Sequence, residues 1–150
     1  MRVNIEDIKK LRNQTGAGVS DCREALEEAK GDMDEAIKMI RKKGIERAAK
    51  KSNRQVKAGT VFSYIHHNGR VGAILGLACE TDFVAKTEDF KNLGNELAMQ
   101  AAATKPATLE ELLEAEYMRD ASKKVSDVIK EVVGKLGENI QVTDFRTIVV

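Results

Sequence analysis

The stretch Glu80-Thr81-Asp82-Phe83-Val84-Ala85-Lys86 joins a predicted strand to a predicted helix, and the rest of the chain is interpreted around it. Ahead of it, apolar residues recur at every second position, the period of one strand face: Val71, Ala73, Leu75, Leu77 and Cys79. Behind it, apolar residues recur at helical spacing: Phe90, Leu93, Leu97, Ala98 and Ala101. The two periods predict a strand-to-helix corner at residues 80–86.

Asp82 and Phe83 lie side by side at this corner and allow two interpretations. In the first, Thr81 or Asp82 caps the helix and Phe83 packs into the core as a hydrophobic staple. In the second, the corner holds the ring outward as an anchor for a partner's pocket, and the carboxylate fixes its orientation. Capping and packing explain most such corners, and the residues alone leave both interpretations open.

Composition narrows the class of protein. At 150 residues the chain can hold one domain, or a small helical module followed by a second compact unit. Apolar residues make up 42% and charged residues 33%, which is typical of a soluble, folded protein. No apolar run approaches the length of a membrane span, and the first ten residues lack the apolar core of a signal peptide. We therefore expect a cytoplasmic protein. Its net charge of +1 argues against general attraction to nucleic acid.

The N-terminal part, residues 1–44, is predicted to be a three-helix module. Three short helical patterns are separated by glycines, the first break falling at residues 15–18. Asn4 is expected to cap the first helix and Ser20 the second. The third helix is expected to end at Gly44, after a run of cations that suits a helix C-terminus.

Residues 45–58 are predicted to form a basic helix and linker. Between Arg41 and Lys57 there are eight Lys or Arg residues and one acid, Glu46. A basic RNA- or ribosome-binding module is the alternative interpretation. The run lacks interleaved aromatic residues and phosphate-binding glycines, so a solvated or partner-facing surface is favoured.

Residues 59–150 are predicted to form an α+β unit of three antiparallel strands with helices. Asn68-Gly69 predicts a two-residue hairpin turn between the first two strands. The second face of the returning strand is small, which predicts burial on both sides: Gly72, Ile74, Gly76 and Ala78. Helices are expected on either side of Pro106, with a break near residues 119–122. A closing strand with an irregularity at Thr143-Asp144 follows.

No pattern of catalytic chemistry is recognised in the sequence. Cys22 and Cys79 are expected to be reduced, buried thiols. Together with His66 and His67 they match no zinc-binding spacing, so neither a metal nor a cofactor is expected. The residues by themselves predict an α+β interaction protein that is not an enzyme.

Several motifs in order resemble the translation elongation factor Ts family. They are Leu11-Arg12-x-x-Thr15-Gly16-Ala17-Gly18-x-x-Asp21-Cys22-Arg23-x-Ala25-Leu26, then Ala48-Ala49-Lys50-Lys51, Tyr64 to Gly72, Glu80 to Ala85, and Gly137-Glu138-Asn139-Ile140. The resemblance implies a ubiquitin-associated-like N-terminal module. It also implies a guanine-nucleotide exchange factor that binds elongation factor Tu and promotes GDP release, without binding the nucleotide itself.

The resemblance also implies which residues contact that partner. Thr81, Asp82, Phe83 and Val84 would reach between partner helices and disturb the elements that hold Mg²⁺ and phosphate. A second set would dock on the partner's G domain: Val19, Ser20 and Arg23. Arg23 stands where lysine is also usual in the family, and the two cations differ in geometry.

One departure from the family concerns the chain after Pro106, which is shorter than usual. Short members pair two copies through their sheets, and the small face at Gly72, Gly76 and Ala78 would suit this arrangement. The sequence therefore predicts a homodimer. The alternative is a monomer whose missing surface is supplied by the partner.

Overall fold

A computed structural model describes residues 2–150 of the chain. The first half contains α1 Ile5–Thr15, α2 Val19–Glu28, α3 Met33–Lys51, β1 Ala58–Ile65, β2 Val71–Cys79 and α4 Asp82–Ala85. The second half contains α5 Glu88–Thr104, α6 Leu109–Glu114, β3 Glu116–Tyr117, β4 Asp120–Lys124, α7 Val125–Leu136 and β5 Ile140–Val149. The α+β class is confirmed. Within residues 2–150, no helix combines the length and the apolar character needed to cross a membrane.

The three N-terminal helices have a small core of their own. Its buried members are Ile8, Leu11, Cys22, Ala25, Leu26 and Ala36. Asn4 caps α1 as predicted, its side-chain oxygen accepting from the Glu6 N–H at 3.1 Å. The predicted cap at Ser20 is wrong. The extended residue before α2 is Gly18, so Ser20 already lies within the helix. The likeness of this module to a ubiquitin-associated domain stays a prediction.

The predicted end of the third helix at Gly44 is wrong, because α3 continues to Lys51. A glycine inside a helix costs about 1 kcal/mol relative to alanine, which is why it suggested an end. The close approach of α3 and α7 at this point depends on Gly134 of α7. A side chain at Gly134 would collide with the backbone of Gly44, whereas a side chain at Gly44 would meet nothing within 4 Å. The division of the chain at residue 44 stays a prediction.

The central sheet has the order β1-β2-β5, with both pairs antiparallel. The hairpin between β1 and β2 is confirmed, but the predicted two-residue turn is wrong. The loop holds four residues, 67–70, because the His66 N–H donates to the Val71 carbonyl at 2.8 Å. Gly69 has φ 70°, the left-handed conformation that this turn requires. The predicted irregularity in β5 is confirmed, since the register shifts where Thr143 lies opposite the Gly76–Leu77 step.

Helices cover only one face of this sheet. The largest fully buried side chains of the resulting core are Phe90, Leu75, Leu77, Leu97, Leu112, Val125 and Cys79. Gly94 of α5 lies directly against the ring of Phe62, and a side chain there would collide with it. This close contact seats α5 on the sheet.

Within one copy of the chain, the predicted burial of the opposite face holds for Ala78 but is wrong for Ile74, which is exposed. Four large apolar side chains are exposed there, and we call them the outer sheet face: Val61, Ile65, Ile74 and Ile148. The small residues on this face are explained by neighbouring side chains of the same sheet. A side chain at Gly72 would collide with Ile65, and one at Gly76 would collide with Thr143. The glycines therefore accommodate neighbours within the same sheet.

The predicted break near residues 119–122 corresponds to a small hairpin, β3–β4, between α6 and α7. The side chain of Gln100 binds the backbone of this hairpin. This fully buried side chain donates to the Glu116 carbonyl at 3.1 Å and accepts from the Met118 N–H at 2.9 Å. Both polar ends of the amide are thereby satisfied inside the core.

Candidate functional site

The corner between β2 and α5 is built from two successive helix caps. Thr81 is extended, with φ −132° and ψ 156°, and its hydroxyl oxygen accepts from the Val84 N–H at 3.4 Å. Thr87 repeats the arrangement six residues later, accepting from the Phe90 N–H at 3.3 Å. The predicted cap at Thr81 is confirmed, and Asp82 is the first residue of α4. Two caps so close together fix the direction in which the chain turns.

Phe83 lies on the solvent side of this corner with 86% of its surface exposed. Its neighbours Val84 and Ala85 are only 9% and 8% exposed and belong to the main core. Because consecutive residues of a helical turn point in different directions, burial of those two turns Asp82 and Phe83 outward. The interpretation of Phe83 as a staple into the core is therefore wrong.

The four residues implied by the resemblance thus divide between surface and core. Thr81, Asp82 and Phe83 are exposed, and the side chain of Val84 packs inside its own chain. Residues that the sequence did not single out support the corner from behind. The N–H groups of Glu80 and Thr81 donate to the Glu138 carboxylate at 3.1 and 2.9 Å. The only sequence signal for this support is the Gly137 to Ile140 motif.

The second predicted set lies in the first turn and a half of α2. Val19 is 48% exposed, and Ser20 and Arg23 are exposed as well. Val19 and Arg23 are four residues apart, so they share one side of the helix. Between them, Asp21 accepts two hydrogen bonds from the Arg47 guanidinium, both 2.9 Å, which hold the pKa of its carboxyl below the usual range. This pair ties α2 to α3.

The side chains considered for metal binding or thiol chemistry do not lie together in the structure. Cys22 and Cys79 are buried in different cores, and burial raises the pKa of each thiol. His66 packs against His67 and contacts the Tyr64 hydroxyl through Nδ1 at 3.0 Å, beside the hairpin loop. Among the residues that the structure describes, no three His, Cys, Asp or Glu side chains are grouped so that they could hold a metal ion.

The fold and the site define the class as an α+β protein with a small N-terminal helical module and a twice-capped corner that exposes a ring beside an acid. Comparison with known proteins identifies the family. The family described as "Elongation factor TS" matches residues 80–150. Elongation factor Ts of Fervidobacterium nodosum is 39% identical over 190 residues, covering 97% of this chain and 96% of that protein. Its counterpart from Thermotoga neapolitana is 40% identical over 188 residues, covering 97% and 95%. The chain belongs to the elongation factor Ts family.

The lengths of these alignments bear on the predicted shortening. The alignment with the Fervidobacterium protein runs over 190 residues, whereas this chain has 150, so that relative contains segments without a counterpart here. The alignment with elongation factor Ts of Clostridium kluyveri is shorter and covers a smaller share of that protein. It is 43% identical over 148 residues, which cover 99% of this chain and 48% of that protein.

Proposed function

We propose that this chain is the guanine-nucleotide exchange factor of elongation factor Tu and that it accelerates GDP release without forming or breaking a covalent bond. The observation that carries the proposal is the 86% exposed ring of Phe83 on a corner fixed by two caps. Aromatic side chains are among the residues that most often anchor protein–protein interfaces. Membership in the elongation factor Ts family supports the same partner.

The mechanism follows from linkage between two binding events. A factor that binds the nucleotide-free partner more tightly than the GDP-bound partner weakens GDP binding by the same factor. Tight binding without that preference would release nothing. We assign the preference to the corner: Phe83 enters an apolar gap between partner helices, and Asp82 and Thr81 hydrogen-bond beside it. The displaced elements are those that hold Mg²⁺ and the phosphates of GDP.

The exposed side of α2 supplies affinity in this proposal. Val19, Ser20 and Arg23 dock on the G domain of the partner, and the corner acts at a separate place on the same chain. Val84 contributes from behind, because its buried side chain keeps Phe83 turned outward. The chain itself binds neither nucleotide nor metal.

The proposal is tested by release of fluorescently labelled GDP from elongation factor Tu in the presence of excess unlabelled nucleotide. We expect catalytic amounts of the chain to accelerate release at least tenfold, a change of about 1.4 kcal/mol in the barrier. Bovine serum albumin at equal concentration serves as the protein control.

A rate equal to that control would overturn the proposal. The alternative basic module predicts a different result, namely binding to RNA that falls steeply with salt concentration. We expect no such binding at physiological salt, and the two measurements together separate the classes.

We propose further that two copies of the chain pair through the outer sheet face. Four exposed large apolar side chains on one flat surface form a patch of the kind that usually marks an interface. A two-fold axis through Ile74, on the central strand, would bring the same face of each copy together. Each copy would then bury side chains that its own helices leave open.

The substitution Ile74→Glu is expected to convert the dimer into a monomer. Ile74 lies opposite Arg146 in the register, so a carboxylate is tolerated by the fold but is disfavoured in an apolar interface. Sedimentation equilibrium of the parent and the variant measures the change. Ile5→Glu is the matched control, because Ile5 is 68% exposed on α1 and lies outside the sheet. A monomeric parent, or a dimer that survives Ile74→Glu, would contradict the proposal.

A further inference from the structure

We infer that Glu138 is a positioning residue for the corner, holding Thr81 so that Phe83 is presented in its active direction before the partner arrives. The inference deepens the proposed function and rests on it. It assigns a role to a side chain that does not belong to the exposed set at the corner and acts only through it.

The first observation is the number of bonds that Glu138 makes. One carboxylate oxygen accepts from the N–H groups of Glu80 and Thr81, at 3.1 and 2.9 Å. The other oxygen accepts from the Thr81 hydroxyl at 2.7 Å. Thr81 is the residue that caps α4, so the carboxylate holds the cap through both its backbone and its side chain. Hydrogen bonds to an ionised acceptor are stronger than those between neutral groups.

The second observation is that the arrangement is reciprocal. While Glu138 takes the N–H groups of residues 80 and 81, Glu80 accepts from the Asn139 N–H at 2.8 Å. Strand β2 ends at Cys79, so the N–H groups beyond it lack a partner in the sheet ladder. The loop between α7 and β5 supplies those partners. We call this reciprocal pair of carboxylates, Glu80 and Glu138, the carboxylate clamp.

The third observation is that the clamp is bonded to the segment that follows α3, which ends at Lys51. Asn139 is 4% exposed, and its side-chain amide donates to the carbonyl of Arg54 at 2.7 Å and that of Ser52 at 3.3 Å. The Arg54 guanidinium in turn lies 3.8 Å from the Glu80 carboxylate. Three segments that are distant in sequence therefore meet behind the corner. A turn of four residues such as α4 could not keep one direction by itself.

The role of the clamp follows from the free energy that is needed to order a mobile segment when it binds a partner. If the corner were mobile, some of the interaction free energy of Phe83 with its partner would be used to order the chain. The carboxylate clamp orders it beforehand. Loss of the clamp should therefore weaken exchange only to the extent that the exposed groups of the corner contribute to exchange, and Phe83 is expected to contribute most.

Because the effect of Glu138 on exchange should depend on Phe83, a double-mutant cycle tests the inference. The rate of GDP release per concentration of factor is measured for the parent, Glu138→Ala, Phe83→Ala and the variant with both changes. We expect Glu138→Ala to reduce exchange about tenfold, or about 1.4 kcal/mol, which lies within the range that ordering interface side chains costs on binding. Added to Phe83→Ala, the same change should reduce it by less than about twofold, since the ring that needed positioning is absent.

Two further variants guard against a loss of folding. Glu131→Ala removes from α7 a carboxylate that pairs with Lys123 of β4, away from the corner, and is expected to leave exchange unchanged. Glu138→Gln keeps an acceptor oxygen for the two N–H groups and is expected to restore most of the rate. If thermal unfolding shows that Glu138→Ala does not fold, the cycle is run with Glu138→Asp, which shortens the reach of the carboxylate.

Each outcome decides the question. Full exchange by the folded Glu138 variant would overturn the inference, and so would a reduction of equal size with and without Phe83, because that is the behaviour of a residue that only stabilises the fold. A Phe83→Ala variant with unreduced exchange would instead remove the proposed role of the corner itself. The failure of the inference and the failure of the proposed function are therefore distinguishable.

Discussion

Replacement of Phe83 by alanine is expected to slow catalysed GDP release by about 30-fold or more while leaving the stability of the chain unchanged. Aromatic anchors at the centre of an interface typically cost 2 kcal/mol or more when truncated, and each 1.4 kcal/mol is a factor of about ten. The ring is 86% exposed and absent from the core cluster, so its removal opens no cavity. Stopped-flow release of labelled GDP measures the rate, and thermal unfolding measures the stability.

The control for this prediction is Met118→Ala, which removes another exposed apolar side chain, 40% exposed, from the β3–β4 hairpin. It should leave exchange unchanged. Asp82→Ala tests the second exposed group of the corner and is expected to have a smaller effect, because a charge at the rim of an interface contributes less than a ring at its centre. Exchange that is unaffected by Phe83→Ala would exclude the ring from the mechanism, even in a true member of the family.

The location of the corner could be predicted from sequence because it depends on local properties. A period of two changes to a period of 3.6 at residues 80–86, and a threonine stands where a cap is needed. The direction of Phe83 could not be predicted in the same way. Phe83, Val84 and Ala85 are all apolar, and the main core takes only the last two. Which of three adjacent apolar residues is left outside depends on how α4 lies against the sheet.

The glycines illustrate the same limit. A glycine is ambiguous in sequence because it can end a helix or allow a close approach within one. Gly134 takes the second role, because a side chain there would meet the backbone of Gly44, ninety residues earlier in the chain. Gly44 itself takes neither role, since α3 continues through it to Lys51 and a side chain there would meet nothing. The small face of β2 is similar, since Gly72 and Gly76 make room for Ile65 and Thr143 of their own sheet. Neither partner is visible from the local pattern.

The supporting role of Glu138 could not be predicted from the sequence, for a different reason. Glu138 follows the glycine that ends α7, a position where an exposed acid is unremarkable. Its significance arises only when β2 ends opposite that loop and leaves N–H groups without partners. Sequence therefore indicates the exposed functional residues of such a site more readily than the residues that hold them in place.

Replacement of Phe90 by alanine is expected to have the opposite pattern of effects to replacement of Phe83. Phe90 is fully buried, and its ring centroid lies 6.0 Å from that of Phe62 at a tilt of 55°. Truncation of a buried phenylalanine costs about 3–5 kcal/mol, against a typical total stability of about 5–15 kcal/mol. We therefore expect the midpoint of urea unfolding to fall sharply with little change in its slope.

The folded fraction of the Phe90→Ala variant should still catalyse GDP release at close to the parental rate, because the corner is held by Thr81 and the carboxylate clamp as well as by α5. Phe83→Ala is the matched control, since it removes the same ring seven residues away and should leave the urea midpoint unchanged. A loss of less than about 1 kcal/mol for Phe90→Ala would contradict the described packing of α5 on the sheet. If Phe83→Ala and Phe90→Ala lowered the stability equally, the exposed ring would contribute to the core as much as the buried one. The proposed division between a binding surface and a core would then be wrong.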